Sequence, residues 1–357
     1  MQIHNFSAGP CILPQEVMQQ AAQAVIELDG IGLSLIEISH RSKEFVAIME
    51  EARQLVKDLL NLPDRFEVLY LQGGASLAFL TAAYNHLPQG GKAAYLDTGT
   101  WAANAIKEAK RLSEVDVIGS SKESNYNHIP TGWQVPNDAA YLHFTTNNTI
   151  FGTQFHAMPD AAGVPLVADM SSDIFSRPFD AEPFHLIYAG AQKNMGPAGT
   201  VLYIVDKNVL GKTGRDIPAY LDLGVHLKKD SMFNTPPVFA VYTSMLTLRW
   251  LKGQGGVEAI EKRNAAKAAA IYGEIDRNPL FEGHATMDSR STMNATFRLT
   301  DDTLAEAFNN MWADAGISGI KGHRSVGGYR ASMYNALPLE SVEVLVEVMA
   351  ELERTKG

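Results

Sequence analysis

Three apolar runs of this chain end in residues that can do chemistry: a lysine, an aspartate and a glycine-rich turn. Lys193 lies in Tyr188-Ala189-Gly190-Ala191-Gln192-Lys193-Asn194-Met195-Gly196-Pro197-Ala198-Gly199. The small residues there make room beside its side chain. A lysine becomes nucleophilic when its ammonium is desolvated or set near other cations, and it then forms imines with carbonyl compounds. Asp169 follows Val164-Pro165-Leu166-Val167-Ala168 and precedes Met170-Ser171-Ser172. An aspartate so placed can cap a helix, bind Mg²⁺ or pair with a protonated ring nitrogen. The third feature, Gln72-Gly73-Gly74-Ala75-Ser76, falls between a strand pattern and a helix pattern. Its glycines allow close backbone approach, and a helix N-terminus presents free N–H groups to a phosphate.

Each feature alone has a plain reading as a turn or a cap. Together, a phosphate cradle, an aspartate and a downstream lysine are the parts that pyridoxal phosphate requires. Asp169 would keep the pyridine nitrogen protonated, making the ring an electron sink, and Lys193 would hold the cofactor as a Schiff base. Their separation, 193 − 169 = 24 residues, allows one strand-connection-strand step. Trp101 opens a helix pattern after Asp97-Thr98-Gly99-Thr100 and could stack on the ring; by itself it reads as a core tryptophan.

The elements needed to position these groups are legible as an α/β pattern. Phe45, Val46, Met49, Ala52, Val56, Leu59 and Leu60 recur at helical spacing over 43–60. Strand and helix patterns then alternate: 67–71, 76–86, 92–96 and 101–112. Apolar runs follow at 115–118, 140–144, 164–168, 186–189 and 200–205, bounded by Gly, Pro, Asn or Asp as buried parallel strands are. This predicts a mostly parallel sheet covered on both faces, with ligands at the carboxyl ends of the strands. The last gaps are too short for full helices, which predicts at least one antiparallel strand. Past Gly253-Gln254-Gly255-Gly256 the pattern changes to helices at 257–275, 303–315 and 340–354, with strands at 294–299 and near 317–321 and 329–334. The expectation is a large domain, 1–255, and a smaller α+β domain, 256–357, with segment 1–15 packing on the small one.

Composition excludes several classes. Lys plus Arg number 30 against 40 Asp plus Glu, a formal net charge of −10, and nucleic-acid binding needs a basic surface. The single cysteine, Cys11, excludes an internal disulfide and any CxxC motif. No apolar stretch approaches the ~20 residues of a membrane span, and the N-terminus lacks a signal-peptide pattern. The expected location is the cytoplasm, where the sequons at Asn147 and Asn294 are chance matches. The histidines are scattered without metal-ligand spacing, so no metal site is expected. Leu210-Gly211-Lys212-Thr213 fails as a nucleotide-binding loop because Asp206 stands where a glycine is required.

Several motifs closely resemble the phosphoserine aminotransferase family: Asn5-Phe6-Ser7-Ala8-Gly9-Pro10, Ser39-His40-Arg41-Ser42-Lys43-Glu44-Phe45, Ala189-Gly190-Ala191-Gln192-Lys193-Asn194, Ser231-Met232-Phe233-Asn234-Thr235-Pro236-Pro237 and Lys321-Gly322-His323-Arg324. They occur in order along nearly the whole chain. The resemblance implies a class-V, fold-type I architecture and a homodimer with shared active sites. It implies that Lys193 and Asp169 are catalytic, that Gln192 and Thr149 contact the cofactor, and that Trp101 stacks on it. Ala75 and Ser76 would bind its phosphate through backbone N–H groups, and Asn234 and Thr235 would reach the phosphate in the neighbouring subunit. Family members often carry arginine where this chain has Ser76, a change that takes one candidate cation from the substrate side, and some carry serine where it has Ala8.

The implied reaction passes the amino group of L-glutamate to 3-phosphohydroxypyruvate; some family members also serve the 4-phosphohydroxy-threonine step of pyridoxine synthesis. Each substrate carries an α-carboxylate and a distal anion. Arginine suits both because its planar fork bonds carboxylate or phosphate bidentately. The candidates are His40 with Arg41 and His323 with Arg324, expected to divide the two anions between them. The runner-up is an aminotransferase of the serine–pyruvate or alanine–glyoxylate type, and the third reading is a non-catalytic binding module.

Overall fold

The computed structural model describes residues 3–356. A short strand, β1 (His4–Asn5), leads into helices α1 (Gln15–Ile26) and α2 (Lys43–Leu59). The Ser42 hydroxyl caps α2 by accepting from the Phe45 N–H at 3.4 Å, and Lys57 lies in the last turn. Phe45, Met49, Ala52 and Val56 form its buried stripe, as their spacing predicts.

Strands and helices then alternate: β2 (Phe66–Gly73), α3 (Ala75–His86), β3 (Lys92–Asp97), α4 (Thr100–Ala109), β4 (Glu114–Ser120) and β5 (Ala139–Thr145). A small hairpin, β6 (Asn147–Asn148) with β7 (Thr153–Gln154), precedes β8 (Leu166–Asp169), β9 (Phe184–Gly190) and β10 (Gly199–Asp206). Seven strands form one sheet in the order β2-β10-β9-β8-β5-β3-β4. Only β10 runs antiparallel to its neighbours. Residues 191–198, between β9 and β10, are too few for the crossover that a parallel pair needs. The predicted antiparallel strand is therefore β10.

Side chains alternate across the sheet. Val68, Tyr70, Leu142, Phe144 and Leu202 bury on one face with residues of α1 and α2; Leu69, Leu71, Tyr141, Tyr188 and Tyr203 bury on the other with α3 and α4. One expectation is corrected: the run at 115–118 reads as a buried strand, but β4 is an edge strand with Val117 exposed. It pairs with β3 alone, and none of its residues is buried.

After α5 (Leu223–Leu227) come α6 (Val238–Gly253) and α7 (Gly256–Arg277). Three antiparallel strands follow, β11 (Phe281–Gly283), β12 (Asn294–Leu299) and, beyond α8 (Ala305–Asp314) and β13 (Ile317–Ser318), β14 (Tyr329–Ser332). The final helix, α9 (Leu339–Lys356), packs on α7. Phe281, Phe297, Phe308, Leu345 and Leu352 form a third core here. β1 adds in parallel to β13, and Phe6 is fully buried in that third core. No helix of the described residues is long and apolar enough to cross a membrane.

Candidate active site

Asp169 is the last residue of β8, in register with Thr145 of β5 and Tyr188 of β9. Its position at the carboxyl end of a central strand follows from the parallel order, and its carboxylate is buried. Oδ1 accepts from the Ser171 N–H at 2.9 Å. Burial pushes its pKa up, opposed by the Ser171 bonds and by the positive charge of Lys193. A carboxylate desolvated in this way is held ionised by any cation placed beside it.

The chain leaves β9 at Gly190 and turns tightly, with the Gly196 N–H donating to the Ala191 carbonyl at 2.9 Å. Lys193 projects from this turn. Its Nζ donates to the Thr149 hydroxyl at 2.6 Å and lies 5.6 Å from the centre of the Trp101 ring. Burial pulls the lysine pKa down to about 8; nearby Arg330 adds to that, and Asp169 opposes it. The amine is thus poised to be partly neutral near pH 7, as a carbonyl-seeking nucleophile must be. Gly9 passes close by: a Cβ there would meet the Lys193 Cγ at 3.2 Å, and its φ of +142° favours glycine. The Gln192 side chain folds back over Gly190, where a Cβ would stand 2.7 Å from its Oε1.

Thr149 is buried in the β6–β7 turn, and it joins two cations. Its hydroxyl takes the Lys193 bond, and its carbonyl accepts from Arg330 Nη1 at 3.2 Å. Arg330, on β14, is a residue that the sequence reading missed. Its Nε is buried without a partner, and no carboxylate among the described residues pairs with it. The signal was faint: in Tyr329-Arg330-Ala331-Ser332 the arginine reads as the solvent-facing member of a short strand.

Trp101 lies in the first turn of α4, with its Nε1 buried and unpartnered. Ala75 and Ser76 open α3 behind Gly74, and no side chain caps that helix. Its first N–H groups are therefore available to an anion. Asn234 and Thr235 rest against the same loop: Asn234 Nδ2 donates to Gln72 Oε1 at 3.3 Å, and Gln72 Nε2 donates to the Thr235 carbonyl at 2.9 Å. Thr235 is exposed.

The two histidine-arginine pairs are not joined to each other by a hydrogen bond among the described residues. Arg41 is exposed before α2, and the Nε2 of His40 is buried without a partner. Burial, then Arg41, lowers the His40 pKa. His323 Nδ1 bonds the Ser325 hydroxyl at 2.7 Å. Burial, then Arg330 and Arg324, lowers its pKa, and the Arg330 N–H donates to the Ile320 carbonyl at 2.7 Å, which places the 321–324 loop beside Arg330. Arg324 is exposed. No group of three or more His, Cys, Asp or Glu among the described residues is arranged to hold a metal ion.

The residues present fit pyridoxal phosphate. They offer a low-pKa lysine, a buried carboxylate at a strand end, an uncapped helix, and buried polar atoms on Trp101 and Arg330 that lack partners. This fold and site define a pyridoxal-phosphate aminotransferase, and the chain belongs to the class-V aminotransferase family, whose model matches residues 3–345. Within that family it is 63% identical over 354 residues to the phosphoserine aminotransferase of Flavobacterium psychrophilum, covering 99% of each chain. Among solved structures it matches phosphoserine aminotransferase from Bacillus circulans subsp. alkalophilus with a TM-score of 0.96 and 43% identity, covering 100% of this chain and 99% of that one. The PLP-bound enzyme from Trichomonas vaginalis matches with a TM-score of 0.93 and 36% identity, over 98% of this chain and 100% of that one.

Proposed function

We propose that the chain is a phosphoserine aminotransferase, transferring the amino group of L-glutamate to 3-phosphohydroxypyruvate, reversibly, to give O-phospho-L-serine and 2-oxoglutarate. The observation that carries this reading is the convergence of Lys193 and Arg330 on Thr149, at 2.6 and 3.2 Å. A guanidinium without a carboxylate partner, fixed beside the reactive amine, suits the α-carboxylate that both substrates share. That revises the division expected from sequence. With Arg330 on the α-carboxylate, both pairs, His40-Arg41 and His323-Arg324, are left for the distal carboxylate or phosphate.

Bound pyridoxal phosphate supplies a carbonyl for Lys193 and a ring that takes up the electron pair released at the substrate Cα. Around it, Asp169 would hold the ring nitrogen, Trp101 would stack, Thr149 and Gln192 would contact its polar edge, and the N–H groups of Ala75 and Ser76 would hold its phosphate. The free Lys193 amine would carry the proton between the substrate Cα and the cofactor carbon, away from Cα with glutamate and toward Cα with the phosphorylated acceptor. The Thr149 hydroxyl orients the Lys193 Nζ for that transfer.

We read the working form as a cytoplasmic homodimer, with residues 1–255 and 256–357 as its two domains. Asn234 and Thr235 then serve the neighbouring subunit's cofactor phosphate. Tyr220, Phe233 and Phe239 are exposed around that loop, and clustered exposed aromatics suit contact with a second copy. The test is a spectrum of purified holoenzyme before and after glutamate, then after 3-phosphohydroxypyruvate. Conversion to the aminated cofactor and back is expected. Equal rates with unphosphorylated hydroxypyruvate would favour a serine–pyruvate or alanine–glyoxylate type instead.

A further inference from the structure

Three successive backbone carbonyls in the turn after Asp169 are each held by a different buried asparagine. Asn194 Nδ2 donates to the Ile174 carbonyl at 2.5 Å, Asn335 Nδ2 to Phe175 at 2.9 Å, and Asn264 Nδ2 to Ser176 at 3.2 Å. Phe175 has a φ of +61°, in the left-handed region, where a side chain carries strain that surrounding bonds must hold. The three asparagines are also bonded to one another, Asn335 to Asn194 through its main chain and to Asn264 through its side chain. The Asn335 N–H donates to Asn194 Oδ1 at 2.9 Å, and Asn264 Nδ2 donates to Asn335 Oδ1 at 2.9 Å.

These asparagines come from three elements. Asn194 directly follows Lys193, Asn335 follows β14 five residues after Arg330 (335 − 330 = 5), and Asn264 lies on α7. Lys267, one turn further along α7, pins the same stretch by donating to the Met333 and Tyr334 carbonyls at 2.9 and 2.8 Å. The segments bearing Asp169, Lys193 and Arg330 therefore meet at a single node, and Asn335 is its centre, reaching Asn194 through its backbone N–H and Phe175 and Asn264 through its side chain.

We propose that Asn335, bonded to Asn194 and Asn264, is a positioning residue for transamination: it fixes the Lys193 amine in register with the Asp169 carboxylate and the Arg330 guanidinium. Asn335 touches no reacting atom. It acts through the backbone on either side of the residues that do, and an amide side chain is what the node requires, since it donates to Phe175 and accepts from Asn264 at once. A misplacement of about 1 Å in reacting groups can cost on the order of 100-fold in rate. This inference rests on Lys193 carrying the cofactor.

The test is Asn335→Ala, purified as holoenzyme with excess pyridoxal phosphate. Cofactor content, the pH midpoint of the bound cofactor's visible absorbance, and kcat and KM for glutamate are measured. The expected result is full cofactor content, a midpoint displaced by about half a pH unit or more, and kcat lower by on the order of 10- to 100-fold. Asn335→Asp, which keeps the acceptor but loses the donor, should fail to restore the midpoint. A loaded, folded Asn335→Ala with the wild-type midpoint and kcat would overturn the proposal. Should that variant not accumulate, Asn264→Ala, which leaves the Asn335 side chain bonded to the Phe175 carbonyl, is expected to move the midpoint in the same direction by less; no movement there counts equally against it. A wild-type protein with no visible cofactor band would instead overturn the reading of Lys193.

Discussion

The Lys193 ammonium and the Arg330 guanidinium bond the same residue, Thr149, the first through its hydroxyl at 2.6 Å and the second through its carbonyl at 3.2 Å. The side chain and the backbone of Thr149 therefore have separable jobs. Thr149→Val removes the hydroxyl and keeps the carbonyl. A hydrogen bond to a charged group is worth about 1.5–3 kcal/mol, so kcat should fall by on the order of 10-fold or more. The KM for glutamate should change little, because Arg330 keeps its anchor. A variant that raises KM and spares kcat would contradict this division.

Lys193, with its pKa pulled down to about 8, should show that value directly. At pH 7 roughly one apo-protein amine in ten is neutral, against roughly one in 2,500 for an ordinary lysine. The rate at which apo-protein takes up pyridoxal phosphate, followed by visible absorbance, should rise with pH and level off above about 8. Asp169 opposes the lowering, so Asp169→Asn should move the plateau to lower pH. A rate still climbing at pH 10 would count against a poised amine.

Arg330 and the two exposed arginines should separate by substrate. Arg330→Gln removes the fork held beside Lys193 and should weaken every substrate, since all share the α-carboxylate. At about 1.5–3 kcal/mol per charged hydrogen bond, the KM for glutamate should rise about 10- to 100-fold. Arg41→Gln and Arg324→Gln should instead lower kcat/KM more for 3-phosphohydroxypyruvate than for its unphosphorylated form. Steady-state kinetics with both acceptors checks the split.

Lys267 gives a pH signature in stability rather than activity. It is buried, and burial with the nearby Arg263 pulls its pKa down to about 7. Between pH 7 and the ordinary lysine range near 10.5, the unfolded chain binds a proton that the folded chain does not, so this group makes stability rise with pH across that window. Lys267→Met should flatten the rise. It should also destabilise near pH 9, because two buried carbonyls lose their donor at about 1–3 kcal/mol each. Denaturant midpoints at pH 7 and pH 9 measure both effects.

The chemistry of the cofactor was legible wherever a residue's neighbours in sequence are also its neighbours in space. Lys193 among small residues, Asp169 after an apolar strand and Trp101 after a turn each carry a local signal, and the fold brings Lys193 against Thr149 and Trp101. Arg330 carries no local signal. Its distinctive surroundings come from Thr149, 181 residues away, and from the absence of a carboxylate partner. Helix α6 was missed for a related reason: Val238–Gly253 is apolar nearly all round because it is buried on most sides, so no stripe marks it. The Asn194-Asn335-Asn264 node is likewise invisible, because asparagine spaced widely along a chain reads as loop.

The pairing of His4 with Ile317 has a consequence for how this chain comes into being. The two residues lie 317 − 4 = 313 positions apart, so the N-terminal strand leaves the ribosome long before its partner exists. At ~5–20 residues per second the wait is roughly 15–60 s. Throughout it Phe6, fully buried at the end, has no core to enter, and the segment carrying Gly9 toward Lys193 has no anchor. Closure of the lysine's surroundings is therefore a late event of synthesis, and the interval before it is when this nascent chain is most open to chaperones and proteases.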